Sequence, residues 1–289
     1  LLNTTAASAA AANVWNNTAP TSSVFTVGTA ASTNQNTATY IAYCFNSVAG
    51  YSSIGSYTGN GSAGNSITGL GFAPGFVMIK RSDAGSEWAM YDNTRQTSNP
   101  KYQLRANASD AENSNSAVYV DLDSDGFTIQ TTDAAQNASG GTYIYMAFKG
   151  SYTDYVSDLN TDGTIDSRVK ANPATGFSIV SYTSPNNAAD QTVGHGLSQA
   201  PEVIICKNLD TTYNWDIYHS GTGSVEDTLT FTSAATRDFD VFTTTAPTST
   251  VFGTKNNFTH AGTNRYIAYC FHSVAGYSSI GSYTGNGSA

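Results

Sequence analysis

The sequence predicts an all-β chain of tandem antiparallel β-sandwich or jelly-roll domains in a repeat array, on three observations. Tyr40–Ala63 and Tyr266–Ala289 are the same string apart from Asn46 against His272. The offset, 266 − 40 = 226 residues, is a large period, and a period constrains architecture before any local reading does. Charged residues are only 11% of the chain, whereas Thr, Ser, Asn and Gly abound alongside 18 Tyr and 13 Phe. That is strand-forming material broken up by turn-forming material. Lastly, short runs of alternating apolar and polar residues recur at a spacing of about 8–12 residues, as in sandwiches and jelly rolls.

Taken in order, residues 1–48 read as the second half of a B-type sandwich. Its WNNTAPTSSVFTVGT from Trp15 matches FTTTAPTSTVFGTK from Phe242. The small residues Ala6–Ala12 have a counterpart at Ser233–Asp240 without a helical face, so they read as loop or strand.

Residues 49–150 form an A-type sandwich. GYSSIGSYTGN alternates as a half-buried strand does. Pro74-Gly75 turns the chain into a short buried strand, Phe76–Lys80. Glu87–Asp92 is the next strand, with Trp88, Met90 and Asp92 on one face and Ala89 and Tyr91 on the other. Ala117–Leu122 and Phe127–Thr132 flank the hairpin turn Asp123-Ser124-Asp125-Gly126. Gly141–Phe148 closes the unit, and one core is expected to centre on Tyr143, Tyr145, Phe148, Phe76 and Trp88.

Residues 151–166 are a polar connector. Residues 167–274 then repeat the order of pieces as a B-type sandwich: GFSIVSYTS from Gly176, GLSQAPEVIICKNLD from Gly196, NWDIYH from Asn214 and RYIAYCF from Arg265. Residues 275–289 read as the first strand of a further A-type unit, which makes the chain a window on a longer array. A half-sandwich leaves strand edges unpaired, so a partner is expected in copies of the same repeat, head-to-tail or as a longer chain.

The net charge of −9 and the scattered Lys and Arg argue against nucleic acid, which needs a concentrated basic patch. No apolar run reaches the roughly 18 residues of a membrane span. Of the three cysteines, Cys44 and Cys270 share one slot of the repeat and Cys206 occupies another. A Cys206–Cys270 bridge stands against two buried thiols. The A-type unit holds Ile79 and Ala147 in those slots, which favours the buried thiols.

GYSSIGSYTGNGSA, then GLGFAPGFVMIKR and WAMYDN, resembles the repeated domains of marine and other environmental phage virion proteins, described as tail-fibre or structural proteins. The B-type unit is similar to the same set through NPATGFSIVSYT, VGHGL, VIICKN, NWDIYHS, TAPTS and YIAYCFHSV. It departs from the SYTGNG often carried by B-type units of that set, where Ser184-Pro185-Asn186 stands instead. The resemblance spans nearly all of the chain and implies a concanavalin-A-like jelly roll in an extended extracellular or virion-surface fibre. It implies no reaction.

Four sets of residues invite a chemical reading. Asp158, Asn160, Asp162, Thr164 and Asp166 space their oxygens like the first nine positions of a calcium loop, with Gly163 at the turn, but Val169 stands where a bidentate Glu belongs. Asp121, Asp123 and Asp125 before Gly126 are a weaker match of the same kind. Trp88, Tyr91 and Asp92, with Trp215, Tyr218 and His219, are candidate platforms for a surface glycan; recurrence at one offset in both units also suits a packing role. Sequons at Asn3, Asn16, Asn60, Asn107, Asn137, Asn257 and Asn286 would accept glycan in a secreted fibre.

Catalysis is not expected. Glu87, Glu112, Glu202 and Glu226 do not cluster, and the four His adjoin no nucleophile motif or metal spacing. The sequence thus reads as a structural repeat segment of a fibre, or alternatively as a lectin-like adhesion module.

Overall fold

The computed structural model describes residues 4–96, 98–150, 159–185, 189–231, 237–238, 241–255 and 263–289. The described chain is all-β, with three short α-helices, α1 (Ala12–Trp15), α2 (Ala31–Asn34) and α3 (Ala134–Asn137), and one 3-10 turn at Ser116–Val118. The strand β1 (Thr39–Phe45) precedes the A-type unit. That unit contributes β2 (Ser52–Thr58), β3 (Asn65–Thr68), β4 (Pro74–Arg81), β5 (Trp88–Asp92), β6 (Leu104–Arg105), β7 (Val120–Asp123), β8 (Gly126–Ile129) and β9 (Thr142–Lys149). Next come β10 (Leu159–Asn160), β11 (Ser167–Asn172), β12 (Phe177–Thr183), β13 (Gln191–Gly194), β14 (Val203–Asn208) and β15 (Trp215–His219). The rest are β16 (Asp227–Thr230), β17 (Arg237–Asp238), β18 (Val251–Thr254), β19 (Arg265–Phe271) and β20 (Ser278–Thr284).

These strands form antiparallel sheets. A five-stranded sheet, β2-β9-β4-β5-β6, faces the three-stranded β3-β8-β7. An eight-stranded sheet, β10-β11-β12-β19-β14-β15-β16-β17, faces the two-stranded β13-β18. The remaining pair, β1-β20, joins the start of the sequence to its end. Most of the expected A-type strands fall where the alternation places them; the expected Ala117–Leu122 starts later, because Ser116–Val118 forms a 3-10 turn capped by the Asn115 side chain and the strand begins at Val120. β4 is buried on both faces, as its unbroken apolar run requires. In the β7–β8 hairpin Gly126 sits at φ +150°, and a Cβ there would lie 2.0 Å from the Ile67 carbonyl oxygen.

The core is divided. Val77, Ile79, Tyr91 and Tyr143 of the five-stranded sheet pack on Val120, Phe127 and Ile129 of the three-stranded one. Ile204, Cys206, Tyr218 and Tyr266 pack on Val193 and Phe252 in the equivalent place of the second unit. The opposite faces of both large sheets meet in a third cluster containing Phe76, Met90, Phe148, Ile179, Trp215 and Tyr269. This corrects the expectation of one core around Tyr143, Tyr145, Phe148, Phe76 and Trp88. Tyr143 and Tyr145 point one way and Phe148 the other, because side chains of a strand alternate with a period of two.

Candidate functional site

One strand pairing occurs three times. Tyr57 sits opposite Tyr143, Tyr182 opposite Tyr266, and Tyr40 opposite Tyr283. Each pair stacks, with centroids 4.9, 5.3 and 5.1 Å apart and interplanar angles of 10°, 12° and 19°. The surrounding hydrogen bonds repeat as well. The Tyr143 hydroxyl donates to the Ala134 carbonyl (2.7 Å) and accepts from the Ala138 N–H (2.7 Å). The Tyr40 hydroxyl donates to Ala31 (2.6 Å) and accepts from Gln35 (2.7 Å).

An asparagine hook completes the pattern. Asn137 accepts from the Asn60 N–H (2.9 Å) and donates to the Ser62 carbonyl (2.7 Å). Asn34 does the same with Asn286 (2.9 Å) and Ser288 (2.6 Å). A Cβ on Gly59 or on Gly285 would meet a carbonyl oxygen of the facing strand connection at 2.1 or 2.2 Å, so both close approaches need glycine. The β1-β20 pair is therefore a third copy of the repeat's central pairing, with its two halves drawn from opposite ends of the chain.

The three copies meet at one point. Phe45, Phe148 and Phe271, the same slot of β1, β9 and β19, touch one another with centroids 5.1, 5.5 and 6.0 Å apart. Such contacts contribute about 0.5–1.5 kcal/mol each beyond area burial. The copies also touch in rotation. Tyr269 of the B-type unit donates to Asp92 at the end of β5 (2.8 Å). Tyr43, in the slot of Tyr269, packs edge-on against His219, in the slot of Asp92, at 5.5 Å.

A buried ion cluster lies where the two complete units join. Arg95 and Asp92 are fully buried and paired at 2.5 Å, and Arg95 also engages Glu112. Asp92 further accepts from the Thr94 and Arg95 backbone N–H groups, both at 3.0 Å. Burial alone would raise the Asp92 pKa, but the Arg95 charge and these hydrogen bonds hold it below the usual carboxylate range. Arg265 of the B-type unit reaches Glu112 (3.5 Å) and Asp210 (2.7 Å). The Trp215 indole N–H donates to the Arg105 carbonyl across the same junction (2.7 Å). Asp92, Arg95 and Glu112 are engaged with one another out of solvent, while Arg265 and Asp210 stay partly exposed, so the cluster clamps the two units together at its buried end.

The residues singled out from sequence fall as follows. Tyr91, Asp92, Trp215 and His219 are almost wholly buried and Tyr218 nearly so. Trp88 is half-buried, packed against the central cluster with Lys80 over its ring at 6.0 Å. Five of the six thus sit in the cores, and Trp88 alone keeps partial exposure.

Asp158 of the calcium motif lies outside the described residues. Asn160 accepts from the Asp162 N–H (3.0 Å) and donates to its carboxylate (2.9 Å), while the Thr164 hydroxyl donates to Gln191 (3.0 Å). Asp166 is exposed. Among the described residues no three acidic, His or Cys side chains converge on a metal position. Asp125 likewise caps the Gly69 and Gly71 N–H groups.

Asn3 and Asn257 lie outside the described residues. Asn16, Asn60 and Asn286 are exposed, and Asn107 is half-buried and holds Glu87. Asn137 is fully buried in its hook, so its amide is closed to glycosylation. Cys206 and Cys270 are free, buried thiols, and burial pushes Cys206 up to about 12.

Sequence reasoning missed two things. Arg95 and Glu112 carry no local pattern. The phenylalanine trio was legible only by aligning YIAYCF, YIYMAF and the second YIAYCF as three copies of one strand.

The third copy is open. Phe25, Val27, Ala42, Cys44, Gly281 and Tyr283 line a groove of about 360 Å³ on the β1-β20 pair. The profile of a family described as a domain of unknown function (DUF7483) matches residues 1–151 and again residues 155–289. No curated protein and no solved structure matches the chain.

Proposed function

Since the chain belongs to the DUF7483 family, whose function is undefined, we propose from its architecture that it is a structural repeat segment. It serves as one link of an extended fibre or filament on an extracellular or virion surface, built of tandem jelly-roll sandwiches. One observation carries the reading: the same strand pairing is used three times, and the phenylalanines at one slot of it, Phe45, Phe148 and Phe271, join copies to one another. A chain that invests its repeated letters in contacts between units suits serial assembly. The A–B clamp of Asp92, Arg95, Glu112 and Arg265 supports it further, since it fixes the mutual orientation of two units.

The glycan-binding alternative draws no support from Trp88 or Trp215, which serve packing. Light scattering with electron microscopy of the purified chain tests the proposal. Elongated particles or end-to-end strings are expected as concentration rises. A compact monomer at every concentration overturns it.

A further inference from the structure

The A-type and B-type units each carry a strand beside the central pair that has no counterpart in the third copy among the described residues. In A, β4 lies along β9 with Phe76 opposite Phe148 and Arg81 opposite Tyr143. In B, β14 lies along β19 with Val203 opposite Phe271 and Asn208 opposite Tyr266. Among the described residues no strand occupies that edge of β1.

Residues 40–45 of β1 carry the same letters as 266–271 of β19, so the two are an internal control. Ile267, Ala268, Tyr269 and Cys270 are 0–1% exposed, whereas no residue of β1 is buried and Cys44 is exposed. Sequence cannot cause this difference; coverage does.

A second gap lies on the A-type unit. Ile54 and Ile144 are 45% and 44% exposed, while their counterparts Ile179 and Ile267 are fully buried in the central cluster. In the rotation that sets Tyr269 on β5 and Tyr43 on β15, the same slot of β9 is Met146. It is half-buried, and among the described residues no third strand of the β5 kind meets it. The unfilled edge of β1 and the uncovered isoleucines thus lack one and the same element.

We infer that the β1 edge and the Ile54–Ile144 patch form a socket for a β4–β5-type hairpin of a further repeat unit. The hairpin adds antiparallel to β1, with the residue of the Phe76 or Val203 slot opposite Phe45. Its second strand covers Ile54, Ile144 and Met146, which closes a ring of three units around the phenylalanine trio. This rests on reading the chain as a repeat segment, but a particular donor and register are specified.

Cys44 is the reporter, because the other two thiols are buried. The intact chain is treated with a thiol reagent in the presence of a peptide spanning Phe72–Asp92 or a scrambled version of it. At about ten times its dissociation constant the native-sequence peptide is expected to slow Cys44 labelling roughly tenfold, the scrambled one not at all. Ile144→Asp, an exposed substitution that leaves the fold intact, should abolish this protection.

The inference is overturned if labelling is unchanged by the peptide, if both peptides protect equally, or if I144D is protected like the parent. Protection that grows with protein concentration alone, with a doubled mass in light scattering but with I144D protected like the parent, places a different surface of a second copy in the groove and overturns it too. Strings of particles in the microscope together with an unprotected Cys44 leave the fibre reading standing and remove only the socket.

Discussion

Asp216 offers the sharpest test of how these cores are built. It is 2% exposed on β15, opposite Cys206, and one carboxylate oxygen has no hydrogen-bond partner among the described residues. In the A-type unit the same slot is Ala89, fully buried. Burial raises the Asp216 pKa from 3.8 to about 7, with Lys207 pulling weakly the other way. Its folded value therefore lies above its unfolded value. The stability linked to the proton is complete below about pH 4 and is lost as pH rises through about 7.

The rise from 3.8 to about 7 corresponds to about 4 kcal/mol. Lys207 is lowered by burial to about 8; without the Asp216 charge that raises it, it falls further in the variant, which adds to the variant's gain at the upper end of the window rather than masking it. Asp216→Ala should thus gain about 2–4 kcal/mol over the parent at pH 7.5 relative to the same comparison at pH 4.5. In thermal melts that is about 8 °C or more of extra separation between the two proteins. Histidine titration is common to both proteins and cancels in the difference. If the separation is the same at both pH values, or if the variant is the less stable at pH 7.5, the account of Asp216 as a buried, unpaired acid is wrong.

Other substitutions probe the clamp and the hooks. Arg95→Met should cost about 3–5 kcal/mol in urea denaturation, since two buried carboxylates lose their cation. It should also move acid unfolding upward in pH: the lowered Asp92 supplies stability above its unfolded pKa that fades as pH falls through the folded value. Tyr269→Phe removes only the hydroxyl bonded to Asp92 and should cost about 1.5–3 kcal/mol. Asn34→Ala should speed hydrogen exchange in β20 while sparing β2, and Asn137→Ala the reverse, as each hook ties down its own copy. Native chain should take up one equivalent of thiol reagent, at Cys44, with Cys206 and Cys270 reacting only on unfolding.

Much of the fold was legible because short strands with one dominant face announce themselves. Glu87–Asp92 alternates, and the structure sets Trp88 and Met90 in the central cluster and Ala89 and Tyr91 in the inner one. The free thiols followed from Ile79 and Ala147 in the matching slots. What sequence could not carry was the use of the second face. A sheet covered on both sides by apolar neighbours shows the same letters as a sheet with one thick core, so Tyr143 and Phe148 were assigned together. The pairing of β1 with β20 was hidden for another reason. Each half repeats a piece of a complete unit, and nothing local says that two distant pieces find one another. Arg95 and Glu112 become partners only once the two units dock.

The hook between Asn34 and Asn286 has a kinetic corollary. Its two halves are 252 residues apart in sequence, so its loop-closure entropy stays unrecovered until everything between them has condensed. The A-type and B-type units should therefore consolidate first and act as the template on which β1 and β20 meet. On unfolding the order reverses: that seam parts before either unit loosens, which makes it the place where the chain is readiest to exchange one neighbour for another.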